Sequence, residues 1–112
     1  MIEEYLRNFL ADALSAPVYI SVPKEHPKEY FVIEKTGMSR NEFIWDSVIA
    51  IQAYGESFYN AASMIEDVNT QMLDELIKED RVSNVILNGS SNFTDTTKKQ
   101  PRYQSVFVVT HY

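Results

Sequence analysis

The sequence predicts an α+β domain with the element order α-β-β-β-α-β-β, a mainly antiparallel sheet with a long helix packed across it and a short N-terminal helix. Three observations carry this. A helical hydrophobic period over residues 2–14 gives way to strand-like runs at 17–22, 29–36 and 42–54. A longer helical period fills 57–78. Two further strand-like runs, at 82–88 and 102–111, follow it. A chain of 112 residues sets the expectation of one domain over 1–112, large enough for one core.

In the first element, Ile2, Leu6, Phe9, Leu10 and Leu14 recur at helical spacing, with Glu3, Glu4, Arg7 and Asp12 largely off the stripe. Pro17 stops the helix, because it lacks a donor and biases Ala16 to extended geometry. Val18, Tyr19, Ile20 and Val22 are β-formers, and Pro23 ends their run. Residues 23–28 hold two prolines and alternating charge, which reads as an exposed loop. Tyr30 to Ile33 begin the second strand, and Gly37 is expected to open a turn that runs through Ser39 and Asn41.

The run 42–54 alternates most clearly. Phe43, Trp45, Ser47, Ile49, Ile51 and Ala53 share one face; Ile44, Asp46, Val48, Ala50, Gln52 and Tyr54 share the other. Both faces are fairly apolar, so a central strand covered on each side is expected. Short connections favour an antiparallel meander for the first three strands. Gly55 breaks the strand and Ser57 is a suitable N-cap. Ala61, Met64, Ile65, Val68, Met72, Leu73 and Leu76 form the apolar stripe of the long helix. Met64, Met72 and the upstream Met38 read as gap-filling core. Val82, Val85, Ile86 and Leu87 suggest the fourth strand, and Tyr103 with Val106 to Val109 the last. The intervening 88–102 is polar and rich in turn residues, and irregular connections of that length are usually functional or disordered.

Composition narrows the function. Hydrophobic residues make up 45% and charged residues 23%, as in ordinary globular domains. No apolar run approaches the roughly 20 residues that span a bilayer, and no membrane partner is expected. The acidic, amphipathic start does not read as a signal peptide. With no cysteine, thiolate metal sites, disulfides and thiol catalysis are excluded. Asn88-Gly-Ser90 and Asn92-Phe-Thr94 match the glycosylation pattern and read as chance matches in a polar loop. The net charge of −6 argues against nonspecific phosphate binding.

No constellation points to catalysis, a cofactor or a metal, so an enzyme is not expected. His26 and His111 lie outside any ligand-spaced motif and read as surface histidines. The carboxylate pairs Glu3-Glu4, Glu66-Asp67, Asp74-Glu75 and Glu79-Asp80 are adjacent, and adjacent helical residues point about 100° apart. Asp46 stands inside an apolar strand and reads as a polar residue on a partly exposed sheet face. There is no Gly-rich phosphate loop and no nucleophile elbow. Trp45 and the seven tyrosines are not interleaved with a basic patch and read as core and subunit contact.

The charge is unevenly placed. Residues 56–80 hold Glu56, Glu66, Asp67, Asp74, Glu75, Glu79 and Asp80 against Lys78; residues 96–104 hold Lys98, Lys99 and Arg102 with no acid. The plain reading is a solvated helix face and a solvated loop. The sharper one is a pair of complementary surfaces that meet between copies.

The chain resembles the tail-completion proteins of long-tailed bacteriophages, the group of tail terminators and head-to-tail joining proteins. The resemblance spans nearly the whole length. It rests on the short N-terminal helix from Ile2 to Leu14, on Val18-Tyr-Ile-Ser-Val22 with its charged Pro-containing loop, on Asp46-Ser-Val-Ile-Ala-Ile-Gln-Ala-Tyr-Gly55 running into a helix with Ala61 and Ala62, and on the ending Arg102-Tyr-Gln-Ser-Val-Phe-Val-Val-Thr110. It implies a virion protein, assembled in the host cytoplasm, whose copies form a ring, commonly a hexamer. Such a ring caps the tail-tube protein, meets the head-connector proteins and lets DNA pass through its lumen unread. Residues 88–102 are then expected to be mobile in the free subunit and to order on a neighbour or the tube. Lys98, Lys99 and Arg102 would meet Glu66, Asp67, Asp74 and Glu75 of an adjacent copy. Two other readings stand beside it: a generic oligomeric interaction module of a bacterial cell, and a small-molecule-binding domain with Asp46, His26 or Tyr54 at a pocket.

Overall fold

The first helix, α1 (Ile2–Ala13), buries Ile2, Leu6 and Leu10, each four residues after the last. Phe9 and Leu14 pack partly against the same core. The helix ends where Leu14 turns extended, three residues before Pro17. Fully burying a leucine is worth about 1.5–3 kcal/mol, so Leu6 and Leu10 are two of the contacts that hold this short helix on the sheet. The computed structural model of the protein describes residues 1–94 and 100–112.

Five strands form one sheet. They are β1 (Val18–Tyr19), β2 (Tyr30–Asn41), β3 (Ile44–Tyr54), β4 (Val82–Asn92) and β5 (Arg102–His111), in the order β1-β2-β3-β5-β4. All pairings are antiparallel except β1 with β2. The second helix, α2 (Phe58–Thr70), starts where the Ser57 hydroxyl accepts the Asn60 N–H at 3.0 Å. It continues through a wider π turn (Gln71–Glu75) and a 3₁₀ turn (Leu76–Lys78). The buried Val68, Met72 and Leu76 are spaced four and four, which would drift off one face of a regular α-helix. The wide turn takes up that drift. This helix carries the chain from β3 across to the far edge β4; β5 then returns between them, a split β-α-β unit.

The fold is thus α+β, with a short N-terminal helix and a longer helix packed on a mostly antiparallel sheet. Both helices lie on one face. Beneath them Phe31, Ile33, Ser47, Ile49, Ile51, Ala53, Ser105, Phe107 and Val109 are buried. Ser105 donates to Asn69 Oδ1 of α2 at 2.7 Å, which satisfies a fully buried hydroxyl and pins the helix.

Several expectations are corrected. Nothing covers the second face of β3 among the described residues; its apolar look comes from small aliphatics, Val48 and Ala50, packed among sheet neighbours. The first three strands are not a meander, because the prolines of residues 20–29 bring the chain back to the same end and β2 runs parallel to a two-residue β1. Gly37 does not turn: it lies in β2 where the register shifts between Lys35 and Gly37. The turn is Glu42-Phe43, with Glu42 at φ 58°, so the strand begins at Ile44 rather than 42. Residues 88–92 are strand, not loop. Their register shift between Leu87 and Gly89 gives a bulged polar edge, as edge strands often carry. Met38 is 43% exposed rather than core, and His111 is 4% exposed rather than on the surface.

Candidate assembly surfaces

Four regions outside the core could carry function. At the base of the sheet, where β3 ends and β2 begins, Tyr30 stacks on Tyr54 with centroids 4.6 Å apart. His26, from the Pro-flanked loop, lies 4.4 Å from the Tyr30 ring on centroids. Arg102 closes the cluster. Its Nη1 donates to the Tyr54 hydroxyl at 2.9 Å, its Nε to the Phe93 carbonyl at 2.8 Å, and its guanidinium sits 4.8 Å over the Phe93 ring. Burial, then Tyr54, push the Tyr30 phenol up; Arg102 opposes them. Glu29 adds a clamp by accepting the Glu56 N–H at 3.0 Å and the Asn60 amide at 3.1 Å. A cavity of about 620 Å³ opens beside this cluster, and its lining includes His26, Lys28, Glu56 and Gln100. Of the pocket residues expected for a small-molecule site, His26 lines it and Tyr54 lies one ring away. Asp46 is at the far end of β3, where it accepts the Thr110 hydroxyl at 2.6 Å.

The uncovered sheet face is the second region. The register sets Val48, Val108 and Ile86 in one row and Glu34, Ala50 and Val106 in the next. A polar row (Ser39, Asp46, Thr110, Asn84) bounds them on one side. On the other, Gln52 donates to Gln104 at 3.0 Å, with Val32 and Ser91 beside the pair. A small aliphatic patch is therefore framed by polar residues.

The helix layer holds the third. Glu66, Asp67, Asp74 and Glu75 are exposed, and Glu75 accepts the Lys78 ammonium at 3.3 Å. These acids and Arg102 stand on opposite sides of the sheet, so within one subunit they do not meet. Lys98 and Lys99 lie outside the described residues.

The fourth region was not singled out in the sequence. Past Trp45, whose partner on β5 is His111, the β2–β3 hairpin projects as a short two-stranded ribbon tip closed by the Asn41–Ile44 pair, and residues 38–44 are all exposed. Phe43 at its turn is 79% exposed, with Met38 and Ile44 near it, and Arg40 sits 5.1 Å over the Trp45 ring. The feature shows only in the register, where β5 stops at the Trp45–His111 pair while β2 and β3 go on to Asn41 and Ile44; in the sequence Phe43 and Trp45 look like core.

Two interior polar groups complete the picture. The Ser47 hydroxyl and His111 Nε2 are 2.8 Å apart, and His111 Nδ1 is 3.3 Å from the Tyr112 carbonyl. Serine donates to Nε2 and Nδ1–H donates to the carbonyl, which fixes a neutral ring. Burial lowers the His111 pKa, with Arg81 and Lys35 adding to the effect against the Tyr112 bond and Asp46. Glu3 pairs with Lys35 at 3.6 Å, and one Glu3 oxygen is buried without a hydrogen bond.

Among the described residues no cluster of histidines and carboxylates could hold a metal ion, and no helix is long and apolar enough to cross a membrane. No protein-family model matches the chain, and no curated protein matches it.

Proposed function

We propose that the chain is a structural subunit of a long-tailed phage, one copy of a ring that completes the tail tube and joins it to the head connector. The observation that carries this reading is the one-sided sheet. Helices occupy one face, and the other presents the framed patch of half-buried Val48, Val106 and Val108 with exposed Ile86. β1 pairs with only Phe31 and Val32, so the rest of β2 and all of β4 offer unpaired edges among the described residues. Edges and a patch of this kind are surfaces for assembly. The element order also supports the reading, since it is the order on which the resemblance rests.

In this account one heterologous contact repeats around a rotation axis until the ring closes. The ring stops tube growth and presents its other side to the connector; DNA passes through its lumen without being read. Arg102 and the helix acids stand on opposite sides of the sheet, so in this account a pairing of Arg102 with those acids runs between copies. Arg102 is already held by Tyr54 and Phe93, so its reversal would disturb the base cluster. The cleaner charge test reverses Lys98 and Lys99 alone.

The experiment is to add the purified chain to growing tail tubes of the same genome and measure tube length by negative-stain microscopy. Capping gives tubes of limited length with the chain at one end. Unchanged tubes without bound chain would refute the reading and favour a generic interaction module.

A further inference from the structure

The hairpin tip and a groove on the back of α1 carry complementary charges. The groove follows Tyr5, Asn8, Phe9, Asp12 and Ala13, a second stripe of α1, and is closed on its far side by Glu79. Its volume is about 450 Å³, within the range of sites that take one large side chain or a small ligand. Two aromatic rings, Tyr5 and Phe9, and two carboxylates, Asp12 and Glu79, are in its lining. Arg81 lies 5.1 Å over the Tyr5 ring at one end. The tip carries Phe43 and Ile44 with Arg40 on one strand and Glu42 at the turn.

We infer that the ribbon tip of one subunit docks in the α1 groove of the next, with Phe43 between Tyr5 and Phe9, Arg40 against Asp12 and Glu79, and Glu42 toward Arg81. The occupant is a second copy of this chain for three reasons. Both signs of charge on the tip find their opposites at the groove. No ribbon residue lines the groove of its own subunit, and the ribbon leaves the body along the strands. Tip and groove are different patches, so their contact can repeat head to tail around a rotation axis and close a ring. The inference rests on the ring reading, for which it supplies the repeated contact.

The chain has no cysteine, so site-directed crosslinking reads the contact directly. Phe43→Cys and Phe9→Cys variants are made singly, mixed and oxidised; the double variant is treated alike. The expected result is no crosslink in either single variant alone, a crosslinked dimer in the mixture, and in the double variant a ladder that ends at one closed species. Arg40→Glu should weaken self-association about tenfold or more by sedimentation velocity, and Asp12→Arg in the same chain should recover it. Thermal melts of each variant show that the subunit is folded. An oligomer that gives no 43–9 crosslink would overturn the contact while leaving the ring reading intact. A chain that stays monomeric and uncrosslinked at all concentrations would also overturn it, and tube capping would then judge the ring reading by itself.

Discussion

Gly55→Ala should be the most damaging of the three glycine-to-alanine changes. Gly55 is buried at the junction of β3 and α2, and its N–H donates to the Pro101 carbonyl at 3.1 Å. A Cβ there would stand 2.5 Å from the Ala61 nitrogen, 2.9 Å from its Cα and 3.1 Å from its Cβ. No glycine of the described chain has positive φ, so the cost is contact rather than conformation. The obstacle is helix backbone, which cannot swing aside as a side-chain tip can. Relief requires α2 to shift on Ile65, Val68 and Met72, all in the core. Overpacking of this kind costs about 1–3 kcal/mol, and backbone contact places Gly55→Ala near ~3 kcal/mol. At about 2.1 cal/mol/K per residue, unfolding entropy for this length is roughly 0.24 kcal/mol/K, so Tm should fall by about 13 °C. Gly89→Ala is the control, because a Cβ there meets nothing within 4 Å. Calorimetry of both variants decides. A Gly55→Ala melt that matches Gly89→Ala would refute the account of how α2 is seated.

Three further outcomes are expected. His111 is held neutral, with its folded pKa below the unfolded value near 6.5; stability is therefore full above pH 6.5, declines as pH falls through it, and levels off below the folded pKa. Denaturant melts from pH 8 to 5 should show this slope, and His111→Gln should flatten it. Lys35→Met leaves the Glu3 carboxylate, 15% exposed, without its partner, and should cost about 1–3 kcal/mol; adding Glu3→Gln should recover part of the loss in a double-mutant cycle. Glu42→Gly relieves a left-handed backbone at φ 58° and should raise stability by about 1 kcal/mol in a urea titration.

Much of this fold was legible because periodicity reports burial. The α1 and α2 stripes were read residue by residue, and Ile49, Ile51 and Ala53 fell on the buried face as the alternation required. What escaped depends on partners distant in sequence. The Glu42-Phe43 turn holds neither glycine nor asparagine at its centre, so nothing marked it, whereas Gly37 looked like a turn and is absorbed by a bulge. Residues 88–92 have a loop's composition and become strand because β5 supplies hydrogen bonds along a polar edge. His111 looked terminal and exposed, yet Ser47, 64 positions away, receives it. The charge asymmetry was visible in the sequence, but the placement of Arg102 and the helix acids on opposite sides of the sheet was not. The ribbon was hidden for the same reason: only the register shows where burial stops and strand continues.

The most direct test of the assembly account is electron microscopy of particles made when this gene is deleted from its parent genome. The account predicts free heads and unjoined tails, with both restored to virions by the gene in trans. Tails of irregular, excessive length would mark a terminator, and tails of normal length a joining protein. Intact virions, or a parent genome with no tail genes, would contradict it.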